Sequence, residues 1–149
     1  MIVFDIETIP QDEATLLANA PTFYPASNLK DPAKITASIA AKRENYIQSA
    51  ALNWKTAEVA MIGYLFDGEL TCFVDEEKTL LNQWLTFMAD QLSEGISFVG
   101  HNIKGFDLPM IINRARVHRL PIPSAILSYW KGKSSASRRN PSAMPKRAK

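Results

Sequence analysis

The order of strand-like and helix-like patterns along the chain constrains its fold more than any other feature of the sequence. Residues 2–7 alternate between apolar and other side chains and include β-branched and aromatic residues, which is typical of a short strand, here stopped by Pro10. Residues 58–66 and 69–74 are two further β-rich runs, and the Asp67-Gly68 dipeptide between them suits the positive φ angles of a tight turn. The patterns predict an opening strand and, later in the chain, an antiparallel hairpin.

A helix, a strand and a second helix are predicted after the hairpin. Apolar residues at helical spacing follow Asp75, an available N-cap: Leu80, Leu81, Trp84, Leu85, Met88 and Leu92. Residues 96–100 are a short apolar run that suits a buried parallel strand. The second helix is indicated by Leu108, Ile111, Ile112 and Ala115. It ends before Pro121, and the resulting order of β, insert, β, β, α, β, α predicts an α/β fold with a mixed sheet flanked by helices.

The long segment between the opening strand and the hairpin, residues 10–57, is predicted to be a helical insert. Asp31-Pro32 supplies an N-cap and a first-turn proline for a helix. Apolar residues then recur close to helical spacing: Ile35, Ile39, Tyr46, Ile47, Ala50 and Trp54. Three cations on this helix, which either face a nucleic acid or form a solvated surface, are Lys34, Lys42 and Arg43.

Length and composition indicate one folded domain. The chain has 149 residues, of which 46% are hydrophobic and 21% charged, as in a globular protein. Cys72 is the single cysteine, which excludes an internal disulfide and a multi-cysteine metal site. The first residues lack the basic region and long apolar stretch of a secretion signal, and no run approaches membrane-spanning length. We therefore expect a cytoplasmic protein that makes no membrane contact.

The end of the chain is basic. Residues 131–149 carry seven Lys or Arg and no acid, whereas the preceding 130 residues carry ten Lys or Arg and all 15 acids. A segment of this kind, without an apolar period, cannot bury enough surface to offset its ordering entropy. We expect residues 1–125 to form the domain and residues 126–149 to be a disordered tail, which either binds phosphates non-specifically or is a solvated terminus.

Two carboxylates interrupt the apolar opening strand. Because residues i and i+2 of a strand point to the same side, Asp5 and Glu7 project together, opposite Ile2, Phe4 and Ile6. Like charges so close raise each other's pKa unless a divalent cation neutralises them, and oxygen-rich sites favour Mg²⁺ or Mn²⁺. The pair therefore indicates either a metal site or an ordinary polar face of an edge strand.

A third acid, Asp107, lies in the connection between the fourth predicted strand and the last predicted helix. It suits a helix cap as well as a metal ligand. If the opening strand lies beside the fourth strand, however, Asp107 approaches Asp5, and three acids can converge. Two polar neighbours have simpler interpretations, Asn102 as a turn residue and His101 as a satisfied loop histidine.

Two segments together resemble a known family. Phe4-Asp5-Ile6-Glu7-Thr8 resembles the first motif, and the run from His101-Asn102 to Phe106-Asp107 the second motif, of the four-carboxylate (DEDD) 3′-to-5′ exonucleases. Within that family, the two motifs resemble those of predicted exonucleases similar to the proofreading domain of family-B DNA polymerases. The resemblance covers roughly residues 1–125 and implies a ribonuclease-H-like fold.

The resemblance implies a two-metal mechanism with Mg²⁺ or Mn²⁺ acting on a single-stranded 3′ end, DNA more than RNA. By motif position, Asp5 would bridge both ions, Glu7 would bind one ion and Asp107 the other. Asn102 and Phe106 would help to place the terminal nucleotide.

The third motif of the family, a Tyr or His followed by a fourth Asp, has no counterpart, because Asp107 is the last acidic residue of the sequence. We therefore expect a C-terminally truncated fold with weak or no activity, with an exposed sheet edge that a second chain could complete. The alternatives are a non-catalytic nucleic-acid-binding module and a small interaction domain in which the three acids are caps and surface groups.

Overall fold

A computed structural model describes residues 1–132 of the chain. Its elements are β1 (Ile2–Pro10), α1 (Glu13–Ala18), α2 (Pro32–Gln48), a 3₁₀ turn (Ala50–Leu52), β2 (Ala57–Phe66), β3 (Glu69–Phe73), α3 (Glu77–Ser93), β4 (Phe98–Val99), α4 (Asp107–Val117) and α5 (Ser124–Trp130). The strands form one sheet in the order β3-β2-β1-β4. β1 pairs antiparallel with β2 and parallel with β4, so the predicted mixed α/β architecture is confirmed. In residues 1–132, no helix has the length and apolar character needed to cross a membrane.

The core lies on one face of the sheet, beneath α3 and α4. Alternation along β1 buries Ile2, Phe4 and Ile6, as their period of two predicts. The predicted stripe on α3 is also buried, except for Leu92, which is half-buried. The Trp84 ring lies 5.0 Å from that of Phe4 and 5.9 Å from that of Phe98, centroid to centroid. Clustered aromatic rings therefore join the central strand, the edge strand and the covering helix.

The β2–β3 hairpin forms as predicted. Asp67 and Gly68 adopt φ angles of 50° and 83°, and Phe66 pairs with Glu69 across the turn. Two consecutive positive φ angles match the right-handed twist of the flanking strands, so this dipeptide fixes the register of the hairpin.

A β-bulge interrupts the pairing of β1 with β2. Glu7 pairs with Met61 and Thr8 with Val59, so Ala60 is an extra residue on β2. The buried positions of β2 accordingly change parity, from Ile62 on one side of the bulge to Val59 on the other. The bulge lies beside Glu7, the second acid of the opening strand.

The insert differs in part from its prediction. α2 begins at Pro32 behind the Asp31 cap as predicted, but it ends at Gln48 and none of its residues is buried. The predicted stripe therefore continues past the helix end, with Ala50 in the 3₁₀ turn and Trp54 beyond it. The short helix α1 was not predicted. A hydrogen bond of 2.7 Å from Thr8 Oγ1 to the Ala51 carbonyl ties the insert to β1.

Three further boundaries differ from expectation. The N-cap of α3 is Glu76 rather than Asp75, because the Glu76 carboxylate is the one that accepts from the Thr79 amide. β4 pairs over only two residues, Phe98–Val99. The ordered chain also continues beyond residue 125, where we placed the end of the domain, because α5 buries Ile126 completely. The rest of the predicted disordered tail, residues 133–149, lies outside the described residues.

Candidate active site

β1 turns Asp5 and Glu7 to the face of the sheet opposite the core, and both are exposed. Asp5 lies opposite Gly63 of β2. Among the described residues, a Cβ atom at Gly63 would meet only the Cys72 Sγ atom, at 3.8 Å, so these residues leave space next to Asp5. Period-two alternation thus delivers both carboxylates to one accessible surface, as the sequence predicts.

Gly100 brings the loop after β4 into contact with β1. A Cβ atom at this position would lie 2.4 Å from the Phe4 carbonyl oxygen and 2.5 Å from the Ile103 Cγ2 atom. Both distances are far below van der Waals contact, so only glycine allows the two backbones to approach this closely. The approach occurs one residue before Asp5, and it draws the following loop towards that carboxylate.

A compact turn then leads from Asn102 to α4. The Asn102 carbonyl accepts hydrogen bonds from the Gly105 amide at 2.8 Å and the Phe106 amide at 2.9 Å. Asn102 itself has a φ angle of 55°, a conformation that asparagine tolerates better than most residues. Its side chain lies against Gly105, while Phe106 is half-buried against the core. The predicted turn role of Asn102 is confirmed, and His101 lies exposed beside it.

The turn places Asp107 in a buried position at the start of α4. Asp107 is 2% exposed, and its Oδ1 atom has no hydrogen-bond partner among the described residues. Burial raises the pKa of Asp107, the negative charge of nearby Asp5 raises it further, and the amides of Asp107 itself and of Ile6 offset this only in part. The Asp107 carboxyl group therefore lies against β1, next to Asp5, as the strand order predicted. The N-cap of α4 is Phe106, and among the described residues no side-chain hydrogen bond caps this helix, so the helix-cap interpretation of Asp107, which lies in the first turn, is not supported.

The donor set suits a hard divalent cation. A buried carboxylate oxygen without a partner, facing a second carboxylate, is costly unless a positive charge offsets it. Within residues 1–132, however, no group of three or more His, Cys, Asp or Glu side chains is close enough together to hold a metal ion. The structure brings Asp5 and Asp107 together and leaves Glu7 on the same face without gathering it into one cluster with them.

A second ionisable cluster, which sequence reasoning missed, lies between α3 and the far end of α4. Arg114 donates from Nε to Glu77 Oε1 at 2.8 Å and from Nη2 to Oε2 at 2.5 Å. The Val59 amide also donates to Glu77 Oε1, at 2.7 Å, and the His118 Nε2 atom lies 2.5 Å from Oε2. Burial raises the pKa of Glu77, but these hydrogen bonds outweigh it and the pKa lies below its ordinary value.

The Glu77 cluster is saturated with protein partners and is best explained as a clamp. It joins α3 and α4 to the Val59 amide of β2. Val59 lies next to the bulge, in the part of β2 that has no β3 partner. Glu77 and Arg114 are 37 residues apart in sequence, so no local pattern signals their pairing. Gly100, by contrast, had a usable signal, because a glycine directly after a buried strand often marks a close backbone approach.

The mixed sheet, its covering helices and the acids at the junction of two neighbouring parallel strands are compatible with a ribonuclease-H-like nuclease domain. The sequence matches the family described as DNA polymerase family B, exonuclease domain, over residues 1–140. The chain therefore belongs to this exonuclease family, whose substrates are nucleic acids. A search of the curated proteins found no match to the chain.

Proposed function

We propose that the chain is a 3′-to-5′ exonuclease domain that acts on single-stranded DNA ends with Mg²⁺ or Mn²⁺. The observation that carries the proposal is the buried Oδ1 atom of Asp107 beside Asp5, which has no hydrogen-bond partner within residues 1–132. A buried polar atom without a partner calls for a physical explanation, and at a carboxylate beside a second carboxylate a divalent cation would supply the missing partner.

The residues take the roles that motif position gives them. Asp5 and Asp107 would hold the cations, and Glu7, on the same face as Asp5, would complete the set when its side chain turns towards them. The ions would supply a nucleophilic water and offset the charge of the leaving 3′ oxygen. Asn102 and Phe106, in the turn that precedes Asp107, would contact the terminal nucleotide.

We further propose that the 149 residues hydrolyse DNA weakly or not at all. No acidic residue follows Asp107, so a fourth carboxylate would have to come from another chain or from sequence beyond residue 149. A missing general base typically costs a factor of about 10²–10⁴ in rate.

The test uses single-stranded DNA labelled at its 3′ end, incubated with the protein and Mn²⁺, beside the same DNA labelled at its 5′ end. With the wild-type protein the proposal predicts, at most, slow release of the 3′ label and slow, progressive shortening of the 5′-labelled strand, and both should disappear in Asp5→Asn. Release that survives Asp5→Asn indicates contamination. Rapid release that the mutation abolishes would support the nuclease and overturn its weak activity.

A non-catalytic nucleic-acid-binding module is the second candidate. It is favoured by the lack of a three-residue metal cluster within residues 1–132. Binding of this kind depends on phosphate contacts, so it weakens steeply with salt but is indifferent to divalent ions and to Asp5→Asn. Fluorescence anisotropy of labelled DNA, with and without Mn²⁺, separates the two candidates.

A further inference from the structure

The helix α5 lies against the free edge of β4. The Ile2 amide donates to the Ser97 carbonyl at 2.9 Å, and Ile2 pairs with Phe98, so the Ser97 carbonyl points towards β1. The next carbonyl, that of Phe98, points the other way, because successive carbonyls of a strand alternate in direction. The Tyr129 hydroxyl donates to this outward carbonyl, and so occupies the edge where another strand would pair.

A second hydrogen bond joins α5 to the loop that leads to Asp107. The Trp130 Nε1 atom donates to the Lys104 carbonyl at 3.1 Å, and the Lys104 ammonium group lies 5.4 Å from the centre of the Tyr129 ring. Burial raises the pKa of Tyr129, which keeps its hydroxyl protonated and able to donate. Ile126, fully buried, anchors the helix in the core.

The loop is therefore held on two sides. Its first residue, Gly100, packs against the Phe4 carbonyl, and the Trp130 indole donates a hydrogen bond to Lys104 in its middle. We propose that Tyr129 and Trp130 are positioning residues that hold residues 100–106 so that Asp107 stays beside Asp5. The inference rests on the proposed function, in which those two acids bind the cations.

The test removes one donor at a time and keeps the ring. Tyr129→Phe loses the hydroxyl and Trp130→Phe the Nε1 donor. Tyr46→Phe is the matched control, because the Tyr46 hydroxyl also donates to a main-chain carbonyl, that of Leu16 at 3.4 Å, but in the insert. Amide hydrogen exchange of Gly105, Phe106 and Leu108 is measured without metal, and Mn²⁺ affinity is measured well below the unfolding temperature.

We expect both variants at positions 129 and 130 to lose protection at these three amides while β2 amides stay protected, and to bind Mn²⁺ about tenfold more weakly. Tyr46→Phe should change neither. Unchanged loop protection overturns the inference, and so does lost protection with unchanged Mn²⁺ affinity, which is the result of a purely structural role.

The proposed function fails in a different way. If the wild-type protein binds no Mn²⁺, or binds it equally well after Asp5→Asn, the metal role of the acids is wrong. Tyr129 and Trp130 then have no metal site to position, but the exchange data still decide whether α5 holds the loop.

Discussion

Replacing Asp107 by asparagine is expected to stabilise the protein when no divalent cation is present. The wild-type carboxylate is buried, faces the negative charge of Asp5, and has one oxygen without a hydrogen-bond partner in the part of the chain that the structure describes. A buried polar group without a partner costs about 1–3 kcal/mol, and more when charged. Asparagine removes the repulsion, and its amide can donate to Asp5. It also gives up the attraction of a negative charge to a helix N-terminus, about 0.3–1 kcal/mol. The net gain is about 1–2 kcal/mol.

Thermal unfolding followed by circular dichroism in EDTA at pH 7 measures this gain. For a chain of 149 residues, about 1–2 kcal/mol raises the unfolding temperature by about 2–8 °C. Asp90→Asn, at an exposed position on α3, should change it little. Because folding raises the pKa of Asp107, the stability that the wild-type residue contributes is present below its ordinary value of 3.8 and lost as the pH rises. The advantage of asparagine should therefore shrink as the pH falls towards about 4. An Asp107→Asn protein that unfolds at a lower temperature than wild type at pH 7 would refute the reasoning.

Three further predictions concern the residues that hold the site. Glu77→Gln leaves the Arg114 guanidinium buried without its carboxylate and should lower the free energy of unfolding by about 3–5 kcal/mol in urea. Folding lowers the pKa of Glu77, so the stabilising contribution of this residue is present above the ordinary pKa of 4.5 and is lost as the pH falls through the folded pKa. Acid titration of the wild-type protein should show this loss of stability, and acid titration of Glu77→Gln should not. Gly100→Ala places a methyl group 2.4 Å from the Phe4 carbonyl oxygen, so it should lower the free energy of unfolding by about 1–3 kcal/mol and weaken Mn²⁺ binding. Gly63→Ala is the control, because its methyl group would lie in ordinary contact with the Cys72 sulfur at 3.8 Å and should change neither property.

Local patterns were sufficient where a single element decides the outcome. The facing of Asp5 and Glu7 follows from the period of a strand, and the hairpin follows from the backbone preference of Asp67-Gly68. The approach of Asp107 to Asp5 required only one topological assumption, that the opening strand lies beside the fourth. The position of Asp107 beside Asp5 was therefore within reach of the sequence.

Features that depend on contacts between distant segments could not be predicted from the sequence. The ordered helix α5 stands next to basic, serine-rich sequence, and its support comes from the Phe98 carbonyl, 31 residues away from Tyr129. The bulge at Ala60 depends on how β2 pairs with β1, and no residue type in β2 predicts it. The lack of a close three-acid cluster among the described residues is also a matter of side-chain placement, which a motif does not specify.

Binding of Mn²⁺ by isothermal titration calorimetry tests most directly whether Asp5 and Asp107 form a cation site. Wild-type protein, Asp5→Asn, Asp107→Asn and the control Asp90→Asn would be compared at the same pH and salt. If the two acids bind the cation, wild type and the control should bind Mn²⁺ saturably, and each of the other two proteins should lose at least tenfold in affinity. Equal affinity in all four proteins would contradict this role of the two acids.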